Sequence, residues 1–383
     1  MGLKAGAARV DVTPVSPCNL AGYGGRDHTH EGVHDPIFVR ALYVRGEQGE
    51  GLILSGDILW YHEAFLPRLL SELENQLGIP EDCVFSFGTH THSAPAVSRE
   101  TANRQWVSTL EASVLAAAAL ARMRAEDAVL SEGRGSCGIG INRRQQVENG
   151  SIILGKNPDG PIDRELILLC VNTSEGKPIA RLCNFACHGV VLSGRNYLIS
   201  GDWPGHAATV LEEKLDCPFL FFNGGAANVN PVIGPQESFE PVAEHATEFV
   251  SSVDAAGGKA KDVVGEPVVA GTVRKLELPR KAQDVQGGMG KTRSIAIQGL
   301  RVGPLRMVGF PGEVFSETTM AVKHSSPHDL TMVGSYACGG SGGYVPVDEA
   351  YDTGGYEVKV SPYSEGAEGI LRQGFLDVLS ELS

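Results

Sequence analysis

Two imidazoles one residue apart carry the first chemical signal in this chain. His90 and His92 lie in Gly88-Thr89-His90-Thr91-His92-Ser93, directly after the apolar run Cys83-Val84-Phe85-Ser86-Phe87. The run reads as a buried strand and the Gly-Thr-His step as its exit. Strand exits are where open α/β sheets bind ligands, and neutral imidazole is the commonest metal ligand among side chains. The pair points to a metal or acid/base site, although an H-x-H by itself is also what two hydrogen-bonded surface histidines look like.

Five further segments put chemically able groups at strand ends or glycine turns. Asn184-Phe185-Ala186-Cys187-His188-Gly189 repeats the first pattern of buried run, histidine and glycine. Phe310-Pro311-Gly312-Glu313 sets a carboxylate after a strand, where the plainer reading is a helix N-terminal acid favoured by the macrodipole. Phe222-Asn223-Gly224-Gly225-Ala226-Ala227-Asn228-Val229-Asn230-Pro231 follows the apolar Phe219-Leu220-Phe221, and its asparagines are also ordinary turn residues. Gly339-Gly340-Ser341-Gly342-Gly343-Tyr344 leads to a tyrosine that would otherwise be a half-buried aromatic. Ile141-Asn142-Arg143-Arg144 offers fixed positive charge, otherwise a solvated surface pair. Taken together, two histidines, a carboxylate and an open position are what a catalytic zinc site requires.

The elements that must position these groups alternate. Short runs rich in Val, Ile, Leu and Phe recur at Ala8 to Val12, Phe38 to Val44, Leu52 to Ser55, Val84 to Phe87, Leu166 to Val171, Ile179 to Ala186 and Phe219 to Phe222. They read as strands covered on both faces. Helical spacing runs through Tyr61 to Leu77, Gln105 to Arg124, Trp203 to Leu215, Glu240 to Val253 and Glu365 to Leu382. Asp202 and Pro204 suit an N-cap and first turn. From about Val268 to Met307 the pattern partly alternates, as in antiparallel strands added to the sheet. The expected fold is α/β: a layered mixed β-sheet flanked by helices, in a single large domain over residues 1–383.

The composition is that of an ordinary globular chain: 383 residues, 42% hydrophobic and 20% charged. A formal net charge of −14 with no basic block argues against nucleic acid as a partner. No apolar run reaches the roughly 18 residues of a membrane span, and no amphipathic basic helix suggests a lipid surface. The partner expected is a small-molecule substrate; the pattern leaves the oligomeric state open. The eight cysteines, several in strand-like runs, do not resemble a small disulfide scaffold. With no signal-like N-terminus, a cytoplasmic location is expected.

The ordered set Gly88-Thr89-His90-Thr91-His92-Ser93-Ala94-Pro95, Asn184-Phe185-Ala186-Cys187-His188, Gly224-Gly225-Ala226-Ala227-Asn228-Val229-Asn230-Pro231 and Pro311-Gly312-Glu313 resembles the catalytic domain of the neutral/alkaline ceramidases. Ala8-Arg9-Val10-Asp11-Val12-Thr13-Pro14 and Gly32-Val33-His34-Asp35-Pro36 fit too, so the resemblance runs from about Ala5 to Tyr356. It implies a Zn²⁺ held by His90, His188, Glu313 and Tyr344. It also implies that His92, Arg143 and Tyr356, the last twelve residues beyond Tyr344, line the site. Members often show Gly-Asp-Val-Ser-Pro where this chain has Ala227-Asn228-Val229-Asn230-Pro231, so the hydroxyl of a serine mechanism is absent. The C-terminal β-sandwich of full-length members and the signal peptide of secreted ones are not expected here.

These residues imply a metal-activated water that attacks an amide carbonyl, because bound zinc lowers the pKa of water from about 15.7 towards about 7. Arg143 and Tyr356 are candidates to meet the oxyanion, and His92 to act as acid/base. Asp57, after Leu52-Ile53-Leu54-Ser55, could orient a histidine, or cap the helix ahead of Tyr61. Asp202 is expected to cap. His28, His30 and His34 form either a flap over the pocket or a solvated loop, and His62, His206, His245, His324 and His328 receive no role. The expected activity is hydrolysis of a small soluble N-acyl compound. The alternatives are an ester or lactone hydrolase on the same zinc, a Cys187 nucleophile, and a non-catalytic ligand-binding homologue.

Overall fold

The computed structural model describes residues 2–98 and 102–383. Among these, a nine-stranded mixed sheet runs in the order Phe219–Asn223, Pro178–Phe185, Glu165–Thr173, Glu126–Ser136, Leu3–Asp11, Phe38–Arg45, Glu50–Gly56, Val84–Gly88, with Lys261–Asp262 paired to Glu126–Ser136. The interior of the path is antiparallel, and the terminal pair at each end is parallel.

Strand alternation divides the apolar residues between two faces. Val39, Ala41, Tyr43, Leu52 and Leu54 face the helices Leu66–Leu77 and Arg104–Met123. Leu166, Leu168 and Cys170 face the helices Asp202–Leu215 and Glu240–Gly257. The other face, including Ala5, Ala7, Leu42, Val44, Ile53, Ile167 and Leu169, packs against Val269, Leu300, Val302, Leu305 and Met307. These last residues belong to a separate four-stranded sheet, Val269–Pro279, Thr292–Val302, Leu305–Gly309 and Thr331–Gly334. Its far side is covered by Ala367–Glu381 and Ser316–Ser325. The layers are therefore helices, sheet, sheet, helices.

The α/β reading holds, with one correction. The strands after Val268 do not extend the first sheet; they stack on it, because their inward residues have an apolar face to cover. Glu126–Ser136 is a strand that the sequence hides: it is polar and carries Gly133, where a Cβ would meet Ala256 O at 2.3 Å in the helix lying across it.

The two ends of the long sheet converge on one core. Phe85 and Phe87 from one end touch Phe222 from the other, with ring centroids 5.4 and 4.8 Å apart. Each fully buried phenylalanine contributes roughly 1.5–3 kcal/mol. This convergence brings the exits of Val84–Gly88 and Pro178–Phe185 together.

Candidate metal centre

The two exits run side by side. Thr91 and Gly189 form a parallel bridge, and His92 N donates to Gly189 O at 3.3 Å. Gly189 has to be glycine here, since a Cβ would meet His90 O at 2.7 Å. His90 itself has φ +68°, a left-handed turn that swings its ring inward.

Backbone carbonyls fix two of the rings. His90 Nδ1 lies 3.2 Å from Leu59 O, and His188 Nδ1 lies 2.6 Å from Ala226 O. A carbonyl only accepts, so each Nδ1 carries the proton and each Nε2 keeps its lone pair. Both lone pairs turn towards Glu313: Oε2 is 3.1 Å from His188 Nε2 and 4.0 Å from His90 Nε2. His92 Nε2 lies 3.2 Å from His90 Nε2. The ligand-capable nitrogens of His90, His92 and His188 all fall within 4.8 Å of one another.

Burial pushes all three histidines well below their ordinary value of 6.5. Glu313 opposes this at His90, while Arg143 adds to it at His92 and His188. Glu313 is raised by burial, against the pull of His90 and Arg143. Neutral imidazole lone pairs facing a carboxylate oxygen are acceptors facing an acceptor. The three imidazoles form a cluster that could hold a metal ion, with Glu313 beside them.

Arg143 reaches the cluster from Gly140–Gln146. Its Nε donates to Glu357 Oε1 at 2.7 Å. Nη1 lies 3.4 Å from His188 Nε2 and 3.3 Å from Asn230 Oδ1, and Nη2 lies 3.3 Å from Tyr344 OH. Burial disfavours its charge, but Tyr344, Glu357 and Glu313 outweigh that and hold the guanidinium protonated. Tyr356 packs edge-on against Tyr344, with centroids 5.8 Å apart, and is 43% exposed. A cavity of about 320 Å³ opens over His90, His92, Glu313, Tyr344 and Tyr356.

All seven site residues expected from the sequence thus meet at one place. Several secondary expectations do not hold. Asp57 does not orient a histidine; it accepts from Arg40 Nη1 at 2.8 and 2.9 Å and from Phe38 N at 2.9 Å. Nor does it cap a helix, since the next one starts at Leu66. Asp202 is the first residue of its helix rather than the cap. Its carboxylate accepts from the N–H groups of Val191, Leu192 and Trp203, which ties down the loop after His188. His28 pairs with Asp27 and Glu31, His30 Nε2 lies 3.1 Å from Ser16 O, and His34 stacks on Phe239. None of the three lines the cavity. The nearby contribution of that segment is Gly22, where a Cβ would meet the His92 ring at 2.3 Å. Cys187 is buried, and burial pushes its thiol well above 9, which removes the thiolate a nucleophile needs. Sequence reasoning missed Tyr336, Trp60 and Glu357; only Glu357, next to Tyr356, stood beside a residue already singled out.

Residues 3–251 match the sequence profile of the neutral/alkaline non-lysosomal ceramidase N-terminal domain. The chain belongs to this family. Neutral ceramidase B of Dictyostelium discoideum is 25% identical over 235 residues, 56% of this chain and 32% of its own length. Neutral ceramidase 2 of Arabidopsis thaliana is 26% identical over 226 residues, 54% of this chain and 30% of its own. The chain thus spans about a third of the curated relatives it matches. The crystal structure of the Pseudomonas aeruginosa neutral ceramidase superposes over 100% of this chain and 74% of that one, with a TM-score of 0.85 and 18% identity. A ceramidase in complex with C2 gives the same TM-score at 16% identity, over 100% of this chain and 75% of that one. At such identities the structures speak for the fold.

Proposed function

We propose that this chain is a zinc-dependent hydrolase that cleaves the amide bond of a small soluble N-acyl compound. The observation that carries the reading is the buried convergence of His90 Nε2 and His188 Nε2 on Glu313 Oε2, with both Nδ1 atoms committed to backbone carbonyls. Membership in the ceramidase family supports amide chemistry.

In this reading His90, His188, Glu313 and Tyr344 hold the metal. Bound zinc would supply Lewis acidity and an acidified water. Arg143, protonated and buried beside Tyr344, offers N–H donors to the oxyanion, and Tyr356 at the rim offers a second donor. His92, neutral and beside His90, accepts a proton and returns it to the leaving nitrogen. The cavity volume of about 320 Å³ lies at the low end for ligand sites and suits a short acyl group better than a long lipid. No helix among the described residues is long and apolar enough to cross a membrane. All eight cysteines are free, which supports a reducing, cytoplasmic setting.

The test is metal analysis of the purified chain, with turnover measured on short N-acyl amino sugars and amino alcohols, matched esters and lactones, and long-chain ceramide in vesicles. About one zinc per chain and a preference for the short amides are expected. A metal-free active enzyme would defeat the mechanism, and a preference for ceramide in vesicles would defeat the substrate class. His92→Ala should keep the metal and lose about 10²–10⁴-fold in kcat; if the metal goes with it, His92 is a ligand instead.

A further inference from the structure

Tyr336 has no exposed surface and sits in the middle of the centre, yet it takes no part in the chemistry described above. Its φ is +58°, where glycine sits freely and a bulky side chain is strained. A tyrosine kept in that conformation is kept for its side chain, and strained positions of this kind cluster at functional sites.

Its contacts join the two halves of the centre. Tyr336 N donates to Gly312 O at 3.0 Å, in the turn that presents Glu313. Tyr336 O accepts from Gly88 N at 3.2 Å, at the strand exit that presents His90. The phenol ring stacks on the His90 imidazole, with centroids 3.6 Å apart and planes within 10°. Trp60 lies on that imidazole too, at 5.8 Å. The hydroxyl donates to Glu313 Oε2 at 3.4 Å. That oxygen is the one facing both His188 Nε2 and His90 Nε2.

We propose that Tyr336 is a positioning residue for the metal centre: its ring sets the plane of His90 and its hydroxyl turns Glu313 Oε2 towards the two imidazoles. This inference rests on the metal reading given above. Groups in this relation to metal ligands fix ligand orientation and basicity, and their loss typically costs about 10–100-fold in metal affinity.

Tyr336→Phe removes the hydroxyl and keeps the ring; Tyr336→Leu removes both the stack and the hydroxyl. Each full-length variant is stripped with chelator, checked for native circular dichroism, and titrated with Zn²⁺ against a competing chelator. The Co²⁺-loaded forms are compared by visible absorption. Tyr336→Phe is expected to bind Zn²⁺ about 10–100-fold more weakly than the unaltered chain and to show a shifted Co²⁺ band. Tyr336→Leu is expected to lose more. Equal Zn²⁺ affinity and an unshifted Co²⁺ spectrum in either folded variant would overturn the role of Tyr336. If the unaltered chain binds neither metal, the metal reading fails, and this inference with it.

Discussion

Two arginines of this molecule are buried, and they are buried differently. Arg40 is fully enclosed and fully paired: Nη1 lies 2.8 and 2.9 Å from the Asp57 oxygens, Nε 2.7 Å from Glu212 Oε1 and Nη2 3.2 Å from Glu212 Oε2. Glu212 is also engaged by Arg9 Nη1 at 2.6 Å and by Phe219 N at 3.0 Å. Arg143 has one short bond, from Nε to Glu357, and long contacts of 3.3 to 3.4 Å from its other nitrogens. One guanidinium ends in matched carboxylates; the other is anchored by Glu357 and only weakly satisfied on the side of His188, Asn230 and Tyr344. In the proposed reading, these weakly partnered N–H groups are the donors left for an incoming oxygen. Charge alone does not mark a site; the quality of its satisfaction does.

The contrast breaks most sharply if Arg40 is removed. Arg40→Met strands the Asp57 carboxylate in the interior, leaves Glu212 to Arg9 and Phe219 N, and should cost about 3–5 kcal/mol of stability, read by urea unfolding, while the folded fraction keeps its turnover per molecule. A variant as stable as the parent would mean that the Arg40 cluster is better solvated than its geometry implies. Arg143→Met should do the opposite. Arg144 still pairs with Glu357 at 2.8 Å, so stability falls little. Loss of the oxyanion donor should lower kcat about 10²–10³-fold. A large drop in the unfolding midpoint with kcat intact would reverse the assignment of the two arginines.

Asp202 sharpens the comparison, because it is a buried carboxylate held by backbone N–H groups rather than by a guanidinium. Burial lifts it from 3.8 to about 6. The folded chain therefore binds more protons than the unfolded one between about pH 4 and pH 6, and this group's contribution to stability falls as pH rises through that window. Asp202→Asn should flatten that part of the stability profile; identical slopes in the two proteins would count against it. The smallest effect is expected at Asn230, whose Oδ1 takes only a 3.3 Å contact from Arg143. Asn230→Ala should cost less than tenfold in kcat, about 1.4 kcal/mol at most, and a trapped acyl-enzyme at any residue would refute a direct attack by water.

How far the sequence revealed this arrangement depended on the kind of signal. Strands buried on both faces, such as Val84–Gly88 and Phe219–Asn223, announce themselves through uninterrupted apolar runs. Glu126–Ser136 does not, because its alternate residues meet a helix backbone through glycine and solvent through charge. His90 and His188 were legible because histidine followed by a small residue at a strand exit is uncommon chemistry in a common place. Asp57 misled because it too follows a strand, and nothing local reveals that Arg40, on the neighbouring strand, claims its carboxylate. Tyr336 could not be read at all: its importance lies in a backbone angle and a stacking partner, neither of which is written in Gly334-Ser335-Tyr336-Ala337.

The meeting of the two sheet ends has a consequence for how this chain acquires its structure. His90 leaves the strand at one end of the hydrogen-bonded path, His188 leaves the strand next to its other end, and Glu313 follows the second sheet's third strand. The donor set is therefore incomplete until every strand between them is in register. Contacts this distant in sequence are the slow ones to form. A divalent ion that recognises only the assembled trio would act as a clasp on the whole curl. Its binding free energy would add to the stability of the entire domain, and its removal would be felt in hydrogen exchange at Phe85, Phe87 and Phe222, deep in the core behind it.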